Sequence, residues 1–137
     1  MKKIIVYGFL TLIWIFMISC STNGNEDPIG KWDDNIKLSQ KTATVDSNEN
    51  SITITTESTY WWLNGISLNN DIIDLTSVDK LSKNFVIINP DFQVERKEDG
   101  KKIIITLNQN NTNSERILVI GMQNGDYFDG IKIIQAK

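Results

Sequence analysis

Hydrophobic and polar residues alternate with a period of two along most of the chain beyond residue 30. The clearest run is 51–57, which places Ile52 and Ile54 on one face of a strand. Since no helical stripe of useful length appears, the pattern predicts an all-β protein. The other runs of strand type are 35–39, 42–46, 60–66, 85–89, 92–97, 102–108, 116–123 and 128–135.

Turn residues separate these runs. Asp99-Gly100 and Asn124-Gly125-Asp126 each stand between two strand patterns and predict hairpins, because glycine accepts a positive φ without steric cost. Pro90 interrupts another pair, since proline cannot donate to a central strand ladder. Strands at spacings of roughly 8–12 residues indicate an antiparallel β-sandwich. Segment 71–82 fits either a helical turn or a short edge strand.

The predicted core follows from the same alternation. Trp61 and Trp62 are neighbours on a strand and must face opposite sides of the sheet. One of the two must therefore belong to the core. The predicted core residues are Ile52, Ile54, Trp62, Ile66, Val86, Ile88, Val94, Ile103, Ile105, Leu107, Ile117, Val119, Ile131 and Ile133.

The N-terminal segment has a different pattern, with a short basic start and an uncharged apolar stretch over 4–18. This arrangement is typical of a signal peptide. Met17-Ile18-Ser19-Cys20 resembles the lipobox of bacterial lipoproteins. In that family the cysteine sulfur receives a diacylglyceryl group, the leader is cut before the cysteine, and the new amino terminus is acylated with a fatty acid such as palmitate. The alternative is a transmembrane anchor in which Cys20 is incidental. We expect a signal peptide over 1–19, a flexible tether over 20–31 and one β-sandwich over 32–137.

Composition narrows the chemistry. The chain of 137 residues has no histidine and a single cysteine, which excludes histidine-based catalytic triads, histidine-ligated zinc and an internal disulfide. Without the expected leader, 12 basic and 17 acidic residues remain, a net charge of −5. No basic patch is evident, so we expect no nucleic-acid partner. We also expect no cofactor and no enzymatic activity.

Several segments of the sandwich resemble the BACON-like domain, a Bacteroidetes-associated carbohydrate-binding module, in lipoproteins of gut Bacteroidetes. The matching segments are an asparagine-rich turn at 110–113, an arginine-led strand from Glu115-Arg116, the stretch 125–129, the closing strand 131–135, Trp32-Asp33-Asp34 and the aromatic run 60–66. At 47–50, where the family has a Gly-Gly step, this chain has Ser-Asn-Glu-Asn. The resemblance implies an immunoglobulin-like fold and binding of carbohydrate or mucin, and it brings no catalytic residues. It also implies that Trp62 faces inward, which leaves Trp61 toward solvent or an edge.

The candidate ligand-binding residues are the aromatic side chains Tyr60, Trp61 and Tyr127, because an exposed aromatic ring can stack on a sugar. The alternative for Trp61 is packing beneath segment 71–82. Asp126 and Asp129 are weak calcium candidates, and the alternative is that they hydrogen-bond backbone groups of a hairpin.

Together these observations predict a non-enzymatic protein that binds glycan or mucin. We expect it to be anchored by lipid to the outer membrane, on either the cell-surface or the periplasmic side. The alternative function is a structural spacer or accessory subunit that binds another envelope protein, through an edge strand open for pairing.

Overall fold

The computed structural model describes residues 32–137, so the expected signal peptide, Cys20 and the tether lie outside the described residues. The described part contains nine strands and no helix. The strands are β1 Thr42–Val45, β2 Asn50–Thr55, β3 Trp62–Leu68, β4 Asp71–Ile72, β5 Phe85–Ile88, β6 Phe92–Lys97, β7 Lys102–Leu107, β8 Arg116–Asn124 and β9 Tyr127–Gln135.

The strands form two sheets that pack face to face. One has the order β1-β9-β8-β3-β4 and the other has the order β2-β7-β6-β5. All neighbouring strands are antiparallel except β1 and β9, which are parallel. In immunoglobulin lettering, β3, β8 and β9 are C, F and G, β4 is C′, and β2, β7 and β6 are B, E and D. The domain is therefore an immunoglobulin-like β-sandwich, as predicted.

The core lies between the two sheets and contains eight of the predicted residues, while Ile52 packs partly buried against it. The eight are Ile54, Ile66, Val94, Ile103, Ile105, Leu107, Ile131 and Ile133.

Five predicted core positions were assigned to the wrong face: Trp62, Val86, Ile88, Ile117 and Val119. In β5 and β8 both faces carry apolar residues, so periodicity alone does not distinguish inside from outside. Ile87 of β5 points inward, together with Leu118, Ile120 and Met122 of β8.

The predicted turns are present. Residues 98–101 connect β6 to β7, and Gly125-Asp126 is a two-residue connection between β8 and β9. Gly125 has φ +61°, as a first central glycine of a type II′ turn requires. Segment 71–82 contains the short edge strand β4, the second of its two predicted alternatives. Run 35–39 is not a strand, and only Leu38 forms an isolated bridge, to Thr56.

Candidate binding site on the outer face of the five-stranded sheet

The three aromatic residues proposed for ligand binding have different surroundings. Tyr60 is 78 % exposed, and the ammonium of Lys83 lies 5.3 Å from its ring centre. Trp61 is only 2 % exposed and belongs to the core. Tyr127 is half-buried against the core, and its hydroxyl hydrogen-bonds Asp129. Trp61 offers no open ring face to a sugar, so these residues do not form one stacking platform.

Trp61 is buried because a buried arginine stacks on it. The Arg96 guanidinium carbon lies 3.5 Å from the Trp61 ring centre, a cation–π contact. The indole Nε1 donates to Thr56 Oγ1 at 3.2 Å. A buried tryptophan usually needs an acceptor for its indole N–H, and at position 61 the Thr56 hydroxyl is that acceptor. The prediction that Trp62 faces inward and Trp61 outward is therefore wrong: the two are reversed.

Arg96 is the centre of a structural cluster at this end of the sandwich. It is 1 % exposed, and it donates to the carbonyl oxygens of Ser82 at 2.9 Å and Thr59 at 3.0 Å. Desolvation lowers the pKa of Arg96 to about 10, which still leaves the group protonated at neutral pH. These contacts join strand β6 to the segments before β3 and before β5. We call Arg96, Trp61 and the three groups that they hydrogen-bond the arginine cluster.

The second predicted site, at Asp126 and Asp129, contains a lysine. Lys41 Nζ lies 2.8 Å from Asp129 Oδ2 and 3.0 Å from Asp34 Oδ2. The hydrogen bond to Asp129 is the main cause that raises the pKa of Lys41. Asp129 also accepts from the Gly130 N–H at 2.8 Å, whereas Asp126 lies exposed in the turn. The Asp129 carboxylate is therefore neutralised by an ammonium group, and within residues 32–137 no three acidic or other metal-binding side chains gather.

The outer face of the five-stranded sheet carries a feature that the sequence analysis did not identify. Gly65 of β3, Gly121 of β8 and Gly130 of β9 are paired in register across three adjacent strands. Because neighbouring strands are about 4.8 Å apart, this glycine row extends roughly 10 Å across the sheet. A β-bulge at Asn64 shifts the register of β3 and brings Gly65 opposite Gly121.

Side chains stand in register on both sides of the glycine row. The aromatic row consists of Trp62, Gln123 and Phe128. The valine row consists of Ile72, Ser67, Val119 and Lys132. On β8 and β9 each of these rows lies two residues along the strand from the glycines, which corresponds to about 7 Å, whereas the bulge puts Trp62 three residues from Gly65.

A groove crosses β3 between β4 and β8 and contains two of the three glycines, Gly65 and Gly121. It has a volume of about 320 Å³, and it is lined by Asn64, Gly65, Ile66, Ser67, Ile72, Val119 and Gly121. Phe128 is 59 % exposed and Trp62 is half-buried, so the aromatic row offers ring surface beside it. Asn64 and Ser67 supply polar groups at the groove itself. A concave apolar surface with a few polar groups is the usual composition of a small-molecule site.

Charge is nearly absent from this face. Lys132 is the sole charged residue in the three rows, although charged residues make up 23 % of the chain. Charged residues are usually depleted at the centre of a binding surface. The low content of charged residues therefore distinguishes this face from the rest of the domain, as it does at the centre of binding surfaces.

One feature of the sequence does indicate this site. Gly65, Gly121 and Gly130 each lie inside a predicted strand and not in a turn. A glycine inside a strand often marks the close approach of a ligand or of another backbone. The pairing register puts the three glycines side by side, and the pattern within a single strand does not reveal that register.

Comparison with known proteins supports the fold alone. No protein-family model matches the chain, and no curated protein shows significant sequence similarity to it. Among solved structures, the chain is similar to the NMR structure of a protein from Bacteroides thetaiotaomicron, with a TM-score of 0.60 and 17 % identity over 86 % of this chain and 94 % of that one. It is also similar to the titin M3 domain, with a TM-score of 0.47 and 4 % identity over 73 % of this chain and 93 % of that one.

Proposed function

We propose that this protein is a non-enzymatic carbohydrate-binding module, attached by lipid to the outer membrane, and that the outer face of the five-stranded sheet is its binding surface. The main support is the uncharged groove beside the aromatic row. Aromatic faces attract the C–H groups of a sugar ring, and the amides and hydroxyls of Asn64, Ser67 and Gln123 can hydrogen-bond sugar hydroxyls. The resemblance to BACON-like domains points to the same ligand class.

The membrane attachment in this proposal depends on the lipobox-like sequence Met17-Ile18-Ser19-Cys20. Acyl chains at Cys20 would hold the domain at the outer membrane, because each buried methylene contributes about 0.8 kcal/mol. Metabolic labelling with a fatty acid tests this part: the wild-type chain should carry label, and the Cys20→Ser chain should carry none. Equal labelling of the two chains would remove the anchor from the proposal. The part of the chain that the structure describes has no helix long and apolar enough to cross a membrane.

A glycan array with the full-length, detergent-solubilised protein tests the binding function. Phe128→Ala and Trp62→Ala should each weaken binding at least tenfold, since each removes a ring from the aromatic row. Tyr60→Ala is the control, because it removes an exposed aromatic ring that lies beside Lys83 and is not part of the aromatic row. If the wild-type protein binds no glycan, or if Tyr60→Ala is the variant that loses binding, the proposed surface is wrong.

A second candidate function is an accessory subunit that binds another envelope protein. The observation that favours it is the open edge of β5, where Val86 and Ile88 are exposed and no residue of the strand is charged. An unprotected edge strand can pair with a strand of a partner. Cross-linking on intact outer membranes should then recover one stoichiometric protein that Ile88→Glu no longer captures. Recovery of the same protein by both forms would argue against the edge.

A further inference from the structure

Two of the three glycines in the glycine row are not required by the fold. A Cβ atom added at Gly65 would meet no atom within 4 Å, and one added at Gly121 would meet its nearest neighbour, Gly65 N, at an ordinary 3.6 Å. Neither residue has a positive φ. Gly130 is different, because a Cβ there would lie 2.9 Å from the carbonyl oxygen of Ile120.

The absence of side chains at Gly65 and Gly121 therefore needs another cause. Glycine weakens a strand because it loses more backbone freedom on folding than any other residue and has no side chain to pack. A β-branched residue would suit an outward position in β3 or β8 better. Residues that are unfavourable for the fold but leave a groove open are typical of binding sites, where stability is sacrificed for function.

The shape of the groove limits what it can hold. The glycine row crosses the strands, and the aromatic and valine rows form walls along both of its sides. An extended chain can lie along the row, whereas a substituent that projects sideways from the chain would meet Ile72 and Val119 on one side and Trp62 on the other.

The charge of the face limits the ligand further. Lys132 is the sole charge in the three rows, and the expected mature chain carries a net charge of −5. An anionic polymer would meet one lysine on an acidic protein, whereas an uncharged polymer would meet a matching uncharged surface.

We infer that Gly65 and Gly121 seat an internal stretch of a linear, uncharged polysaccharide, which crosses β3 and β8 and stacks on the neighbouring aromatic row. This inference rests on the proposed carbohydrate-binding function and adds the class of ligand and the two residues that determine it. Unbranched neutral chains fit, a branch that projects sideways meets Ile72 and Val119 or the aromatic row, and acidic chains gain little from the single lysine.

The test uses two variants that fill the groove. Gly65→Val and Gly121→Val place methyl groups on its floor, and Ser51→Val is the matched control, since it adds a similar side chain to an exposed position of β2 on the other sheet. The probes are linear glucans, mannans and xylans, a branched counterpart of each with the same backbone, and polygalacturonate. Affinity is measured by isothermal titration, and the thermal midpoint of each variant is recorded alongside.

We expect at least one linear neutral polymer to bind, its branched counterpart to bind at least tenfold more weakly, and polygalacturonate to bind no better than the branched polymer. Both glycine variants should lose at least tenfold in affinity while their thermal midpoints stay the same or rise. Ser51→Val should bind as the wild type does.

Three results would overturn the inference and leave carbohydrate binding intact: unchanged affinity in both glycine variants, equal binding of linear and branched polymers, or stronger binding of polygalacturonate. If no polymer binds to the wild-type protein, the proposed function itself fails. A fall of the thermal midpoint in Gly65→Val would instead show that the fold requires this glycine, and that result also overturns the inference.

Discussion

Gly100 and Gly65 have opposite relations to the fold. Gly100 follows β6 in a turn where Glu98, Asp99 and Gly100 all have positive φ, and a Cβ on it would lie 2.6 Å from Arg96 Nη2. The turn closes directly over the buried guanidinium, so Gly100 belongs to the arginine cluster. Gly65 has neither a positive φ nor a neighbour that a side chain would strike.

The fold therefore requires a glycine at position 100, whereas at position 65 it would accept a side chain. In the arginine cluster, the buried polar groups have hydrogen-bond partners with the exception of Arg96 Nε, the one buried side-chain nitrogen or oxygen within residues 32–137 that has none. A change there removes packing and hydrogen bonds together. The groove is lined by uncharged residues, and all of them except Ile66 are half-buried or exposed, so changes there should affect a ligand more than the fold.

The adjacent tryptophans give the largest predicted contrast. Trp61→Ala should reduce the free energy of unfolding by about 3–5 kcal/mol, because it removes a fully buried indole and its stacking on Arg96. Trp62→Ala should cost about 1 kcal/mol, since that ring is half-buried on the outer face. Chemical denaturation measures both values. Equal losses would mean that the two rings are not divided between core and surface.

The next effect concerns the turn over Arg96. Gly100→Ala should destabilise the domain by about 2–3 kcal/mol, since the methyl group adds a clash with the guanidinium to the strain of a positive φ. Gly125→Ala is the matched control, because Gly125 also has a positive φ but a Cβ there meets no atom within 4 Å. That control should lose about 1–2 kcal/mol, the strain alone. If the two variants are equally stable, Arg96 does not press against the turn.

A smaller effect, of opposite sign, is expected in the groove. Gly65→Ala should stabilise the domain by about 0.5–1 kcal/mol, because alanine loses less backbone entropy on folding and has room for its methyl group. Gly130→Ala should destabilise it, since its Cβ would approach the carbonyl oxygen of Ile120. Denaturant midpoints of the two variants decide this. A loss of stability in Gly65→Ala would place that glycine with Gly100, among those that the fold requires.

The fold was largely predictable because its signals are local. Alternation within single strands and glycine-containing turns indicated the strands and both hairpins. The assignment of faces failed in β5 and β8, where successive apolar residues fit either face and only the pairing with β6 and β9 decides. The candidate binding residues were difficult to predict for a related reason. Trp61 turns inward to meet Arg96, which lies 35 positions away, and the glycines of the candidate groove line up only once β3, β8 and β9 are in register.

The smallest predicted effect is that of pH, and it arises outside both regions, at Asp34 and Asp46. Hydrogen bonds from the Lys37 backbone and from Lys41 lower the pKa of Asp34 despite partial burial that raises it, and hydrogen bonds from Asn50 and Asn48 lower the pKa of Asp46. A carboxyl group whose pKa is lowered by folding stabilises the protein above its unfolded pKa and loses that contribution as pH falls through the folded value.

We therefore expect stability to decline only below about pH 4, and by a small amount, because both carboxyl groups are near the surface. Between about pH 5 and 9 the curve should be flat, since the chain has no histidine and Arg96 stays protonated. Ligand binding should be flat over the same range, because the three rows contain no histidine and no carboxyl group. Thermal midpoints and affinities measured at unit steps of pH check both, with Asp34→Asn expected to reduce the acid decline. A pH-dependent affinity near neutrality would mean that a titratable group outside the three rows contacts the ligand, and the uncharged groove would then not be the whole site.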